Sequence, residues 1–114
     1  MTISLFRKSI RSVGNLFSLK FKVLANWIYK LSLEGTFARD FKLINQVNGA
    51  SGSVMDNIAE GFERGGSREF VQFFSIAKGS AGEVRSQLYR ALDRNHITQQ
   101  TFDMKTIRWA NHEL

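Results

Sequence analysis

The chain has 114 residues, a net charge of +6, and neither proline nor cysteine. That length suits one domain, residues 1–114, with a modest core; the lack of cysteine excludes disulfides and thiolate chemistry and fits a reducing cytoplasm. Arg7, Lys8, Arg11, Lys20, Lys22 and Lys30 all precede the first acidic residue, Glu34, after which ten basic residues balance ten acidic ones. Such segregation points to a polyanionic partner, nucleic acid or an anionic membrane surface, the plainer reading being a solvated helix face.

The opening segment, MTISLFRKSIRSVGNLFSLKFKVLA, is Ser- and Arg-rich and free of acid, as organellar transit peptides are. It lacks the apolar core of a secretory signal, and no run of about 18 apolar residues is present to span a membrane. Residues 1–15 read as an irregular basic N-terminal extension. A first helix is expected from about Leu16 to Leu31, with an irregular lead-in around Gly14 and an apolar face of Val13, Phe17, Leu24, Trp27, Ile28 and Leu31. Glu34-Gly35-Thr36 connects it to a second helix from about Ala38, whose stripe is Phe41, Ile44, Val47, Val54, Ile58 and Phe62. Gly65-Gly66 ends that helix.

Ser67 is expected as N-cap of a third helix, with Glu69 suiting its positive end. The stripe there runs through Phe70, Phe73, Phe74, Ala77, Val84, Leu88, Ala91 and Leu92. Asn95 suits a left-handed C-terminal cap, and Thr98 can cap a short fourth helix carrying Phe102, Thr106 and Trp109. Four amphipathic segments with short links predict an all-α, antiparallel up-down four-helix bundle.

Folding back near residue 65 would set residue i opposite about residue 130 − i. The small-residue run Gly49–Ser53 then faces Ala77–Gly82. Glycine inside a helix costs about 0.5–1 kcal/mol relative to alanine, so the expected return is close approach of two backbones, or alternatively a groove for a ligand.

Chemistry-bearing residues are sparse. His96 and His112 read as turn or surface histidines, with no metal-ligand spacing between them. Glu60 and Glu69 beside Arg64 and Arg68 read as capping charges and ion pairs, and no serine sits in a G-x-S-x-G elbow. The stretch NIAEGFERGGSREF, Asn57–Phe70, has the glycines of a phosphate loop but not its lysine, because Ser67 follows Gly66. It reads as a helical hairpin turn at which Arg64 and Arg68 could hold one phosphate. No catalytic residue, metal site or cofactor is expected.

The segment MDNIAEGFERGGSREFVQFFSIAKGSAGEVRSQLYRAL resembles the signature of the 23S ribosomal RNA intervening-sequence proteins. The match runs through Asn57–Phe62, Arg64, Ser67, Glu69, Phe70, Phe73, Ile76, Ala77, Gly79, Ser80, Glu83, Gln87 and Leu88, within a resemblance spanning residues 24–102. The resemblance implies a four-helix bundle assembled as a homopentamer with a basic central region, in a bacterial cytoplasm, which weighs against a transit peptide. Accessory variability proteins of diversity-generating retroelements share that fold, bind nucleic acid and contact a reverse transcriptase. Residues 1–22 do not resemble the family's opening, and a fourth helix shorter than its relatives' is expected to leave core surface for subunit contacts.

The expected function is that of a non-enzymatic, oligomeric protein binding nucleic acid, RNA rather than DNA, by phosphate electrostatics with weak sequence preference. Lys20, Lys22 and Lys30, helped by Arg7 and Arg11, are the first candidate contacts; Arg64 and Arg68 at the turn, and a strip of Arg85, Arg90 and Arg94, are the others. The alternatives are a scaffold that binds a protein such as a polymerase or reverse transcriptase, and a peripheral membrane binder acting through the basic N-terminus.

Overall fold

A computed structural model describes the backbone of residues 3–104 and the side chains of residues 12 and 14–104. The chain is an all-α four-helix bundle: α1 (Ile3–Leu31), α2 (Phe41–Arg64), α3 (Ser67–Asp93) and the start of α4 (Gln99–Phe102), with one 3-10 turn, Phe37–Arg39, before α2. Thr106 and Trp109, expected on the fourth helix, and His112 lie outside the described residues.

Each junction follows from local chemistry. Asp40 caps α2, its Oδ1 accepting the Leu43 amide at 3.3 Å. Gly65, at φ 77°, supplies the left-handed residue that ends α2. Gly66 rather than Ser67 is then the N-cap of α3, extended at φ −89° and ψ 147°. The Glu69 carboxylate is folded back against Gly66, into the space where a Cβ would stand. Asn95 is left-handed at φ 60°, as expected. Around it the His96 amide donates to Ala91 and the Asn95 amide to Leu92, closing the end of α3. Thr98 caps α4 by accepting the Thr101 amide at 3.1 Å.

The core is built from Phe21, Leu24 and Ile28 of α1, Leu43, Val47, Val54 and Ile58 of α2, and Phe70, Ala77, Val84, Leu88 and Ala91 of α3. Phe37, Ile97 and Phe102 close one end. Burying each of the larger side chains contributes about 1.5–3 kcal/mol. α2 and α3 form the most extensive pair, and α1 packs across both.

Four further expectations are corrected. α1 begins at Ile3, well before Leu16, and Gly14 lies inside it; a Cβ on Gly14 would collide with the Phe70 ring, so the glycine admits that ring rather than breaking the helix. Phe41 is 73% exposed, because Phe37 turns into the core and Leu43 takes the first α2 core position. The glycines of the facing runs do not bring backbones together: at Gly49, Gly52, Gly79 and Gly82 an added Cβ would meet nothing within 4 Å. Ala50, Ser51, Ala77, Ser80 and Ala81 face inward instead, with Ser53 Oγ and Ser80 Oγ 3.0 Å apart. Close approach occurs nearer the turn, where Gly61 abuts Phe70 and Phe73. The contacts Ser53–Ser80, Gln46–Arg90 and Asp40–Arg94 set the α2–α3 register, about one helical turn from that expected.

Candidate nucleic-acid interface and the loop clasp

Cations attract phosphates when they stand in solvent and are not spent on internal partners. On α1, Lys22 and Lys30 are exposed and Lys20 is half-buried. Arg7 and Arg11 lie on the same helix, with side chains outside the described residues. None of these shares α1 with an acidic residue.

At the hairpin turn Arg64 is committed locally. Its Nε donates to Glu60 Oε1 at 2.8 Å, and its guanidinium lies 5.4 Å from the Phe73 ring centroid. Both partners of that ion pair are about half exposed, so its contribution is small. Arg68 is exposed one residue into α3.

The strip expected along α3 is divided. Arg85 is exposed, and Lys78, which sequence reasoning passed over, stands seven residues earlier on the same side of the helix. Arg90 instead donates to Gln46 Oε1 at 2.8 Å and Gln87 Oε1 at 2.9 Å, bracing α3 against α2. Arg94 donates to Asp40 Oδ2 at 2.8 Å. The seven-residue spacing of Lys78 and Arg85 was the signal that could have found the pair.

Arg94 belongs to a clasp that the sequence did not announce. His96 was expected as a turn or surface histidine; it is in the turn, but its side chain is only 10% exposed. Its ring stacks on Phe37 with centroids 5.4 Å apart. Nε2 lies 2.8 Å from Asp40 Oδ2, and Nδ1 lies 2.9 Å from Thr36 Oγ1. An ionised carboxylate only accepts, so Nε2–H donates to Asp40 and, in the neutral ring, Nδ1 accepts from the threonine hydroxyl. The His96 and Arg94 hydrogen bonds hold the Asp40 carboxyl down to a pKa of about 2. The clasp ties the α1–α2 connection to the α3–α4 turn, 56 residues apart in sequence.

The polar residues of the signature stretch also prove architectural. The Asn57 amide donates to the Ser53 carbonyl at 2.8 Å and to Ser53 Oγ at 3.1 Å, joining the Ser53–Ser80 contact between α2 and α3. Among the described residues, no group of three or more His, Asp or Glu is placed to hold a metal ion, and no helix is long and apolar enough to cross a membrane.

The model of one protein family, described as 23S rRNA-intervening sequence protein, matches residues 19–107. Comparison with curated proteins and with solved structures returns no match.

Proposed function

Because the chain belongs to the 23S rRNA-intervening sequence protein family, we propose that it is a non-enzymatic, self-assembling bundle that binds structured RNA in the cytoplasm. Binding runs through phosphates. The observation that carries this reading is the acid-free α1 with Lys22 and Lys30 exposed, joined by Arg68, Lys78 and Arg85 of α3. Each lysine or arginine that neutralises a phosphate releases condensed counterions, and that release supplies the free energy of binding. A phosphate contact carries no sequence information of its own, so binding through these cations is only weakly sequence-specific. RNA shape therefore matters more than RNA sequence. The homopentamer implied by family resemblance would multiply these contacts around one particle, raising the effective concentration of each after the first.

A protein-contact reading has its own support, the exposed apolar residues Leu16, Leu19 and Val23 on α1. Titration of the full chain with an RNA hairpin, a DNA duplex of equal charge and anionic vesicles separates the readings. RNA binding ahead of DNA and vesicles supports the proposal. Absence of binding to either nucleic acid would leave the protein scaffold standing, and preference for vesicles would favour the membrane surface.

A further inference from the structure

We infer that the seam between the second half of α1 and the first half of α2 binds unpaired nucleotides, whose bases stack on Tyr29 and Phe41. The inference rests on the RNA reading above and names the part of an RNA that this surface takes. Among the described residues three aromatic side chains are exposed, Tyr29 at 56%, Phe41 at 73% and Tyr89 at 50%. Tyr89 is engaged, because the Phe102 ring packs on it with centroids 4.6 Å apart. The other two stand open to solvent.

The two rings share one surface. Asn48 Nδ2 lies 3.5 Å from Ser32 Oγ, which fixes where α1 and α2 meet. Tyr29 stands three residues before Ser32, and Phe41 stands seven before Asn48, with exposed Asn45 between. Helical steps of three and four keep each ring on the side of its helix that borders this contact. The helices run antiparallel, Gly14 and Gly61 both abutting Phe70 toward the other end. The rings are therefore separated along the bundle axis by about 15 Å, at about 1.5 Å per residue. That is too far to sandwich one base, so each ring takes a base of its own from a strand lying along the seam.

Charge points to the same partner. Residues 1–55 contain two acids, Glu34 and Asp40, and Asp40 is spent on Arg94 and His96. Exposed Lys30 follows Tyr29 in the chain and exposed Lys42 follows Phe41, while Lys22 stands seven residues before Tyr29 on the same side of α1. Rings spaced along a strip of cations suit a single strand, whose bases offer flat apolar faces and whose linking phosphates carry the charge. In a perfect duplex the base faces are covered by their neighbours, and only the phosphates remain to be bound. A protein partner would satisfy the rings and exposed Leu33 but would have to bring acid for the lysines. Every base has a π-face, so stacking here is sequence-tolerant and adds a preference for loops to the phosphate contacts.

The test is the affinity of the full chain for two RNAs with equal numbers of phosphates, a hairpin with an unpaired loop and a fully paired duplex. Wild type is compared with Tyr29→Ala, Phe41→Ala, Phe41→Leu and Phe41→Trp, with helical content and particle mass measured for each. Both positions are exposed, so helical content and mass should hold. Wild type should prefer the hairpin. Each alanine should weaken hairpin binding about fivefold or more and leave duplex binding unchanged. Tryptophan should keep the preference, and leucine, apolar but not planar, should lose it. An RNA-binding wild type whose alanine variants keep their hairpin affinity would overturn this inference alone, as would full hairpin affinity in Phe41→Leu. A fall in particle mass in the alanine variants would overturn it too, by assigning the rings to a protein contact. A wild type that binds neither RNA would overturn the RNA reading itself.

Discussion

Replacing Gly61 and Gly79 by alanine, one at a time, should move stability in opposite directions. Both substitutions remove a helix-interior glycine, which alone stabilises by about 1 kcal/mol. At Gly79 nothing lies within 4 Å of the added Cβ, so that gain stands whole. At Gly61 the Cβ would sit 3.1 Å from a Phe70 ring carbon, 3.2 Å from Phe73 Cβ and 3.5 Å from Phe70 Cα. Two of those neighbours are fixed to the α3 backbone and cannot swing aside as a side-chain tip can. Overpacking of this kind costs about 1–3 kcal/mol. The net effect at Gly61 is therefore between about zero and 2 kcal/mol destabilising, and the two variants should differ by about 1–3 kcal/mol. At about 4 °C per kcal/mol for a domain of this size, that is a gap of about 4–12 °C in Tm. Urea and thermal unfolding followed by circular dichroism at several protein concentrations would measure it, the concentration series separating assembly from folding. Equal stabilisation by both alanines would refute the placement of the α2–α3 close approach at Gly61.

Leu88→Ala, at a side chain buried in the α2–α3 core, should cost about 2–5 kcal/mol in the same unfolding assay. Ser51 Oγ is buried without a hydrogen-bond partner, so Ser51→Ala should stabilise by about 1 kcal/mol, and a loss of stability would reveal a partner for that hydroxyl. The lowered pKa of Asp40 makes the clasp's contribution fully present above the ordinary carboxylate range. That contribution is lost as pH falls from about 4 toward about 2. Asp40→Asn should flatten that part of the stability–pH curve, and an unchanged acid limb would remove Asp40 as its cause. Replacing Lys78 and Arg85 together by glutamine should weaken RNA binding across sequences alike and reduce the salt slope by about two; retained affinity and slope would exclude α3 from the contact.

The sequence showed the elements better than it showed their faces. The α2–α3 hairpin, Asn95 and Thr98 were legible because turn and cap chemistry is local, fixed by φ and by a hydroxyl three residues from its amide. Phe41 was misassigned because one alternative aromatic, Phe37, lies four residues earlier, and only tertiary packing decides which enters the core. Gly49 and Gly79 misled for a related reason. Glycine in a helix signals that something is made possible, but sequence cannot say whether that lies inside the bundle or outside it. Among the candidate cations, Lys22, Lys30 and Arg85 stand exposed on their helices. The internal commitments of Arg90 and Arg94 depend on Gln46 and Asp40, more than 40 residues away, and no local pattern reports them. The same distance hid the Asp40–His96–Thr36 clasp.

The measurement that bears most directly on the central claim is the affinity of the full chain for a structured RNA across a salt series. Phosphate electrostatics through the exposed cations predicts that log affinity falls linearly with log salt, with a slope of about −0.7 to −0.9 for each phosphate neutralised, or about −3.5 to −4.5 if Lys22, Lys30, Arg68, Lys78 and Arg85 each neutralise one. A flat line, or no binding at low salt, would contradict the account.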